Sequence, residues 1–210
     1  MTHVLNLPTM AATALYHGKA QAPSVEQFVE EAREWAIGPY ASALLKGNDL
    51  PAEERAAVRR ELSRFTGLSE EFLEQADLRV SPSRFYKELL RDRGLTVGRL
   101  DSRYTGRDYD NAGERPDNDP SFYGIDAGYT AAINAHGRAL RENNELGVFV
   151  AQGYYDFATP FFAAEYSLNR TGMPEDQIHF EYYDSGHMMY VRDEDRTKLS
   201  ADIREFIQSR

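Results

Sequence analysis

The sequence predicts an α/β fold in which part of a parallel sheet is interrupted by a large helical insertion. Three observations carry that prediction. From Tyr129 onwards the hydrophobic pattern reads helix, strand, helix, strand, helix, and strands that alternate with helices pair in parallel. From 24 to about 94 the pattern is helical, with no strand between the helices. The chain has 210 residues, 41% of them hydrophobic and 12% aromatic, which is enough to bury a substantial core.

Val4-Leu5-Asn6-Leu7 reads as the end of a short apolar strand. Pro8 and the small-residue run to Tyr16 then read as a turn entering a helix. A strand standing first, with no element before it to pair with, leads us to expect a preceding segment of the sheet. Ser24 is placed to cap a helix with its apolar stripe at Val25, Phe28, Val29, Ala32, Trp35 and Ala36. Gly38-Pro39 is expected to interrupt it, and Gly47 to end its continuation. Pro51 starts another helix, with Glu53 and Glu54 in its first turn and Gly67 after its last. Ser69 starts a shorter one. Ser81-Pro82 opens a further helix that stops at Gly94.

From Gly98 to Asp126 the chain is rich in Gly, Asp, Asn, Pro and Tyr, which predicts a long ordered loop. Within it Asp108, Asp110 and Gly113 partly mimic a calcium loop. The mimicry fails at Ala112 and at Asp119, where a calcium loop needs a ligand and a bidentate Glu. Beyond the loop we expect a helix from Tyr129 to Asn144 and a strand from Leu146 to Ala151. A helix from Phe161 to Arg170, a strand from Ile178 to Tyr183 and a helix from Asp193 to Gln208 follow. The last carries apolar Leu199, Ile203, Phe206 and Ile207. The expected organisation is a core remnant over 1–23, a helical cap with its long loop over 24–127, and a return to the core over 128–210.

A net charge of −10 argues against a general nucleic-acid binder. The stretch from Arg79 to Arg107 runs the other way, with eight basic residues against Glu88, Asp92 and Asp101. It reads as a solvated helical face. A DNA-binding helix pair would conflict with the overall charge, while one or two of these arginines attracting an anionic substrate group would not. There is no cysteine, hence no disulfide, thiolate metal site or thiol nucleophile. No apolar run reaches the length of a membrane span, and the N-terminus lacks the pattern of a signal peptide. Nothing in the pattern calls for a cofactor or a metal: His3, His17, His136 and His179 share no ligand spacing.

The chemistry stands at two strand ends. Val148 to Ala151 runs into Gly153-Tyr154-Tyr155-Asp156, and the next strand runs into Asp184-Ser185-Gly186-His187. Catalytic groups of open α/β sheets gather beyond the carboxyl ends of the strands. The spacing leaves room for one crossover helix, so both loops can open on the same edge. Asp156 there can fix the tautomer of His187, and the imidazole can serve a hydroxyl nucleophile as base and then acid. The plainer alternative makes Asp156 a helix cap and His187 a loop residue. Met188 and Tyr155, next to the pair in sequence, are the candidates to line a substrate pocket.

The stretches Gly153-Tyr154-Tyr155-Asp156-Phe157-Ala158-Thr159-Pro160-Phe161-Phe162 and Tyr182-Tyr183-Asp184-Ser185-Gly186-His187-Met188-Met189-Tyr190 resemble the C-terminal end of the serine carboxypeptidase family, most of all the bacterial branch related to carboxypeptidase Y. The stretches from Leu7 to His17 and from Gly98 to Gly106 resemble the same branch. The resemblance implies the C-terminal part of an α/β-hydrolase fold with a helical cap. It also implies a Ser-Asp-His triad that removes C-terminal residues from peptides, with Asp156 and His187 as acid and base, and a family often exported.

The nucleophile elbow of that family, a G-x-S-x-G turn, does not occur in the chain. The nearest pattern is Gly67-Leu68-Ser69, which has Glu71 in place of the second glycine. We therefore expect a chain that supplies acid and base but is inactive alone. Its partner is a peptide once a missing N-terminal part completes it, and an exposed sheet edge offers a route to self-association. The alternative is a non-catalytic binding or interaction protein built on the same scaffold.

Overall fold

The computed structural model describes residues 2–89, 140, 143, 145–170 and 174–209. The chain divides into two compact units, Met1–Arg99 and Leu100–Arg210. Among the described residues the fold is mixed α/β, mostly helical, with a parallel sheet of two strands.

The first unit begins with α1 (Thr2–Leu5) and α2 (Leu7–Tyr16). The strand expected at Val4–Leu7 is thus helical. Four residues with apolar ends fit either period, because Val4 and Leu7 also share one face of a helix. Val4 and Leu7 are buried, and Pro8 sits in the first turn of α2, where its missing N–H breaks no bond. Every residue of α2 from Leu7 to Ala14 is buried, and the helix packs against α3 (Val25–Trp35), α5 (Ala52–Thr66) and α7 (Pro82–Leu89). Small side chains at Ala11, Ala12 and Ala14 let the neighbouring helices approach it.

Ser24 caps α3 as expected: its Oγ accepts from the Gln27 amide at 3.2 Å. The stripe at Phe28, Val29 and Ala32 faces the core. Gly38-Pro39 interrupts the helix as expected, without ending it. A π-helical turn, Ala36–Tyr40, carries the chain on into α4 (Ala41–Lys46). The wider turn accommodates a proline that lacks an N–H and crowds the preceding carbonyls. It also turns Tyr40 inward, where the hydroxyl donates to the Leu78 carbonyl at 2.6 Å and the ring stacks on Trp35 at 5.2 Å.

Gly47 ends α4 and Gly67 ends α5, both at positive φ. Ser69 caps α6 (Glu70–Gln75) through the Phe72 amide. Leu62 and Phe65 of α5, Leu73 of α6 and Phe85 of α7 complete the core with Phe28, and full burial of such a side chain stabilises by ~1.5–3 kcal/mol. Outside, Arg55 and Arg59 of α5 pair with Glu74, Asp77 and Glu70 along α6. These half-exposed pairs fix the register of two helices and add little stability. No strand occurs among the described residues from 24 to 89. The end expected at Gly94, the loop over Gly98–Asp126, the partial calcium loop, the basic segment beyond Leu89 and most of the helix from Tyr129 lie outside the described residues.

In the second unit β1 (Val148–Gly153) pairs in parallel with β2 (Ile178–Tyr183), Val148 opposite Ile178 and Gly153 opposite Tyr183. β2 has the expected bounds, whereas β1 starts and ends two residues later than the expected Leu146–Ala151. The period of two sorts the side chains onto two faces. On one face Val148 and Ile178 pack with Leu140 and with Leu168 of α8 (Phe161–Leu168). On the other, Phe149 and His179 lie against Phe206 of α9 (Asp193–Gln208). The strand pair thus has a helix on each side. α9 keeps its expected bounds, but its apolar positions are not all covered: Ile203 and Ile207 are exposed.

Gly67 supplies the first test of the fold. Its φ is +66°, and an added Cβ would lie 2.6 Å from the Lys19 Cβ and 2.7 Å from the Lys19 carbonyl oxygen. Gly67→Ala should therefore destabilise the first unit by at least ~1 kcal/mol from the left-handed backbone alone. Urea unfolding followed by Trp35, the sole tryptophan, reads this directly, and an unchanged midpoint would show that the clash is absorbed.

Candidate active site

The site grows from the end of the strand ladder. Parallel pairing continues past Gly153, where the Tyr154 amide donates to the Tyr183 carbonyl at 3.0 Å and the Tyr155 amide to the Ser185 carbonyl at 3.1 Å. The two loops therefore leave the sheet side by side. The first turns back at once, because the Asp156 amide donates to the Gly153 carbonyl at 3.2 Å. That turn drives the Asp156 side chain inward, to 3% exposure.

A buried carboxylate needs donors. Asp156 Oδ1 accepts from the amides of Ala158 and Thr159 at 2.8 and 2.9 Å. Oδ2 accepts from the Thr159 hydroxyl at 2.7 Å and lies 3.0 Å from His187 Nδ1. The structure thus brings together the two residues that the strand ends pointed to. Asp156 also binds the backbone of its own loop, but it is not the helix cap of the plainer sequence alternative, since α8 begins after Pro160 with no side-chain cap. It holds the turn before α8 and the imidazole at the same time.

The geometry sets the tautomer. An ionised carboxylate only accepts, so Nδ1 carries the proton and Nε2 presents a lone pair. Nε2 has no partner among the described residues, and the His187 side chain is 47% exposed. A base with one nitrogen anchored on a buried acid and the other open is equipped to take a proton from a hydroxyl and to return it.

The second loop is held from below. The Tyr155 hydroxyl donates to Asp184 Oδ1 at 3.0 Å. Arg192 donates to the Asp184 carbonyl and pairs with Asp195 at 2.6 Å. The Tyr183 hydroxyl donates to Asp202 of α9 at 2.8 Å, and Lys198 bridges Asp202 and Glu181, each at 2.7 Å. Tyr155 is accordingly buried between the loops, while Met188 stands half-buried directly after His187. Tyr154, Phe161 and Tyr182 pack in an aromatic cluster, with the Tyr182 hydroxyl donating to the buried Glu165.

Sequence reasoning missed Thr159 and Arg192. The Asp-x-x-Thr spacing of an Asx-type turn is a signal for the first. The second has none, since its partners follow only from the fold. Of the remaining histidines, His3 Nδ1 meets the Val80 carbonyl at 3.1 Å and His179 pairs with Glu181 at 3.0 Å. His17 is buried, and His136 lies outside the described residues. No group of side chains suited to a metal ion occurs among the described residues, and no helix there is long and apolar enough to cross a membrane.

Two expectations follow. Asp156→Ala strands the Ala158 and Thr159 amides, which should cost ~1–3 kcal/mol and accelerate their hydrogen exchange. His187→Ala leaves those donors paired and should cost less. The second concerns pH. Burial pushes the Asp202 carboxyl up, but donation by Lys198 and Tyr183 outweighs it and holds the group below its ordinary 3.8. Its contribution is therefore present above that value and lost as the pH falls through the lower folded value. Thermal unfolding of the Asp202→Asn variant should show a shallower acid-side decline than the parent, and identical declines would remove Asp202 from the account. No family model, curated protein or solved structure matches the chain, so what it does must be inferred from this geometry.

Proposed function

We propose that Asp156 and His187 are the acid and base of a serine-type peptide hydrolase, and that the nucleophile comes from outside these 210 residues. The observation that supports this best is the His187 ring itself, anchored through Nδ1 at 3.0 Å from a buried carboxylate with its other edge open. The resemblance of both loops to serine carboxypeptidases supports it independently. On this reading the second unit is the C-terminal part of an α/β-hydrolase core and the helical block belongs to its cap.

His187 Nε2 takes the proton of a serine hydroxyl as its oxygen attacks the peptide carbonyl. The imidazolium so formed is stabilised by Asp156. The same proton then passes to the leaving amine as the C–N bond breaks. Water repeats the cycle on the acyl-enzyme, giving up a proton to Nε2 and releasing the carboxylic acid. Met188 offers apolar surface next to the ring. Tyr155 acts on the pocket through the Asp184–His187 loop that its hydroxyl holds.

Without a positioned serine this chemistry has no first step. On this reading the oxyanion donors also come with the nucleophile, and each one lacking withdraws a further ~2.7–4 kcal/mol of transition-state stabilisation. The purified chain should therefore hydrolyse a blocked dipeptide no faster than its His187→Ala variant. Mixed with a fragment that carries a serine elbow, it should gain turnover that Asp156→Ala and His187→Ala both abolish. Complemented turnover that survives both substitutions would overturn the assignment. Binding of peptide without turnover in any mixture would favour a non-catalytic binding protein on the same scaffold.

A further inference from the structure

Gly153 ends β1, three residues before Asp156. The backbone of the second loop lies close against its Cα. A Cβ built there would lie 2.3 Å from the Ser185 carbonyl oxygen and 2.4 Å from that of Gly186. These are backbone atoms, not the far ends of flexible side chains, so they cannot swing aside. Ser185 and Gly186 are both buried, and His187 follows directly. On the other side, the Gly153 carbonyl accepts from the Asp156 amide at 3.2 Å. One residue is thus in contact with the backbone that carries the base and with the backbone that carries the acid.

We infer that Gly153 is the positioning residue of the pair: the side chain it lacks leaves the space in which the Ser185–Gly186 backbone sits, and this sets the distance from His187 to Asp156. The magnitude argues for a direct effect. Real Cβ contacts do not fall below 3.0 Å, so an alanine must displace the Ser185 carbonyl by at least ~0.7 Å. The bond from His187 Nδ1 to Asp156 is 3.0 Å long, and a shift of that size, passed along the backbone from Ser185 to His187, is enough to carry it beyond the range of a hydrogen bond. The Asp156 carboxylate cannot re-aim toward a displaced His187, because the Ala158 and Thr159 amides fix its orientation within its own loop. The displacement therefore falls on the separation of acid and base.

The inference deepens the proposed function and rests on the pairing of Asp156 with His187, so its test reads the pairing and not turnover. The readout is the tautomer of His187 from the ring nitrogen shifts of the 15N-labelled chain, assigned with His187→Ala. In the parent, the Nδ1-protonated form should dominate. In Gly153→Ala it should fall to a mixture, with the β1 and β2 amide signals retained. Tyr155→Phe, which removes the hydroxyl bond between the loops but leaves Gly153 alone, should keep the parent tautomer. A Gly153→Ala chain with the parent tautomer overturns the role of Gly153. So does one that loses the β1 and β2 signals altogether, since the glycine then serves the whole fold. The same change in Tyr155→Phe overturns it too, because any loosening would suffice. A parent that already mixes tautomers sinks the pairing of Asp156 with His187 itself, and is told apart from the other outcomes by needing no variant.

Discussion

The parallel register of β1 and β2 is the constraint on which the second unit depends. Parallel strands end at the same edge, and pairing Gly153 with Tyr183 brings both loops off that edge in step. The ladder then runs on through Tyr154 and Tyr155, so the loops are hydrogen-bonded to each other before either turns away. A one-residue slip would point every side chain of one strand to the opposite face. Phe149 and His179 facing α9, with Val148 and Ile178 facing α8, penalise such a slip on both faces at once. Packing far from the site thereby fixes the offset between Asp156 and His187.

The first unit is held by a different logic. Its centre is a helix with almost no outward face, α2, around which the others gather. Its unusual backbone is tied together by one contact. Tyr40 turns inward from the π-helical turn and donates to Leu78, which has a positive φ together with Asp77. A bulky residue adopts that conformation only where its surroundings over-determine it. Here the Leu78 amide also bonds the Leu73 carbonyl, at 2.9 Å, and the Leu78 side chain is fully buried.

Legibility in the sequence followed the range of the interactions. Ser24, Ser69, Gly47 and Gly67 act on their own turns, and they marked helix ends that the structure has. Ile178–Tyr183 and Asp193–Gln208 were legible to the residue because punctuation and hydrophobic period agreed. Val4–Leu7 was misread because four residues carry too little periodicity. The interruption at Gly38-Pro39 was legible from the missing N–H of Pro39, but its form, a π-helical turn, was not. At the site, Asp156 and His187 were legible from topology, since strand ends are where such groups gather. Thr159 left a local signal, its spacing from Asp156, whereas Gly153 and Arg192 left none, because each depends on which backbone lies opposite.

The bonds of Asp156 divide by origin. The donors that neutralise its burial come from Ala158 and Thr159, within three residues of it, and among the described residues only His187 reaches it from across the fold. The acid is thus assembled by a short stretch of chain. Its donors already point at a negative charge whether or not His187 is in place, so on the proposed reading a positive imidazole beside it demands little reorganisation. The same division makes the two halves unequal in inheritance. Substitutions in the His187 loop leave a complete, capped turn behind, whereas a change at Asp156 removes the turn and the partner together. If His187 serves as the proposed base, a lineage that stopped using it would be expected to keep the aspartate long after the histidine had drifted.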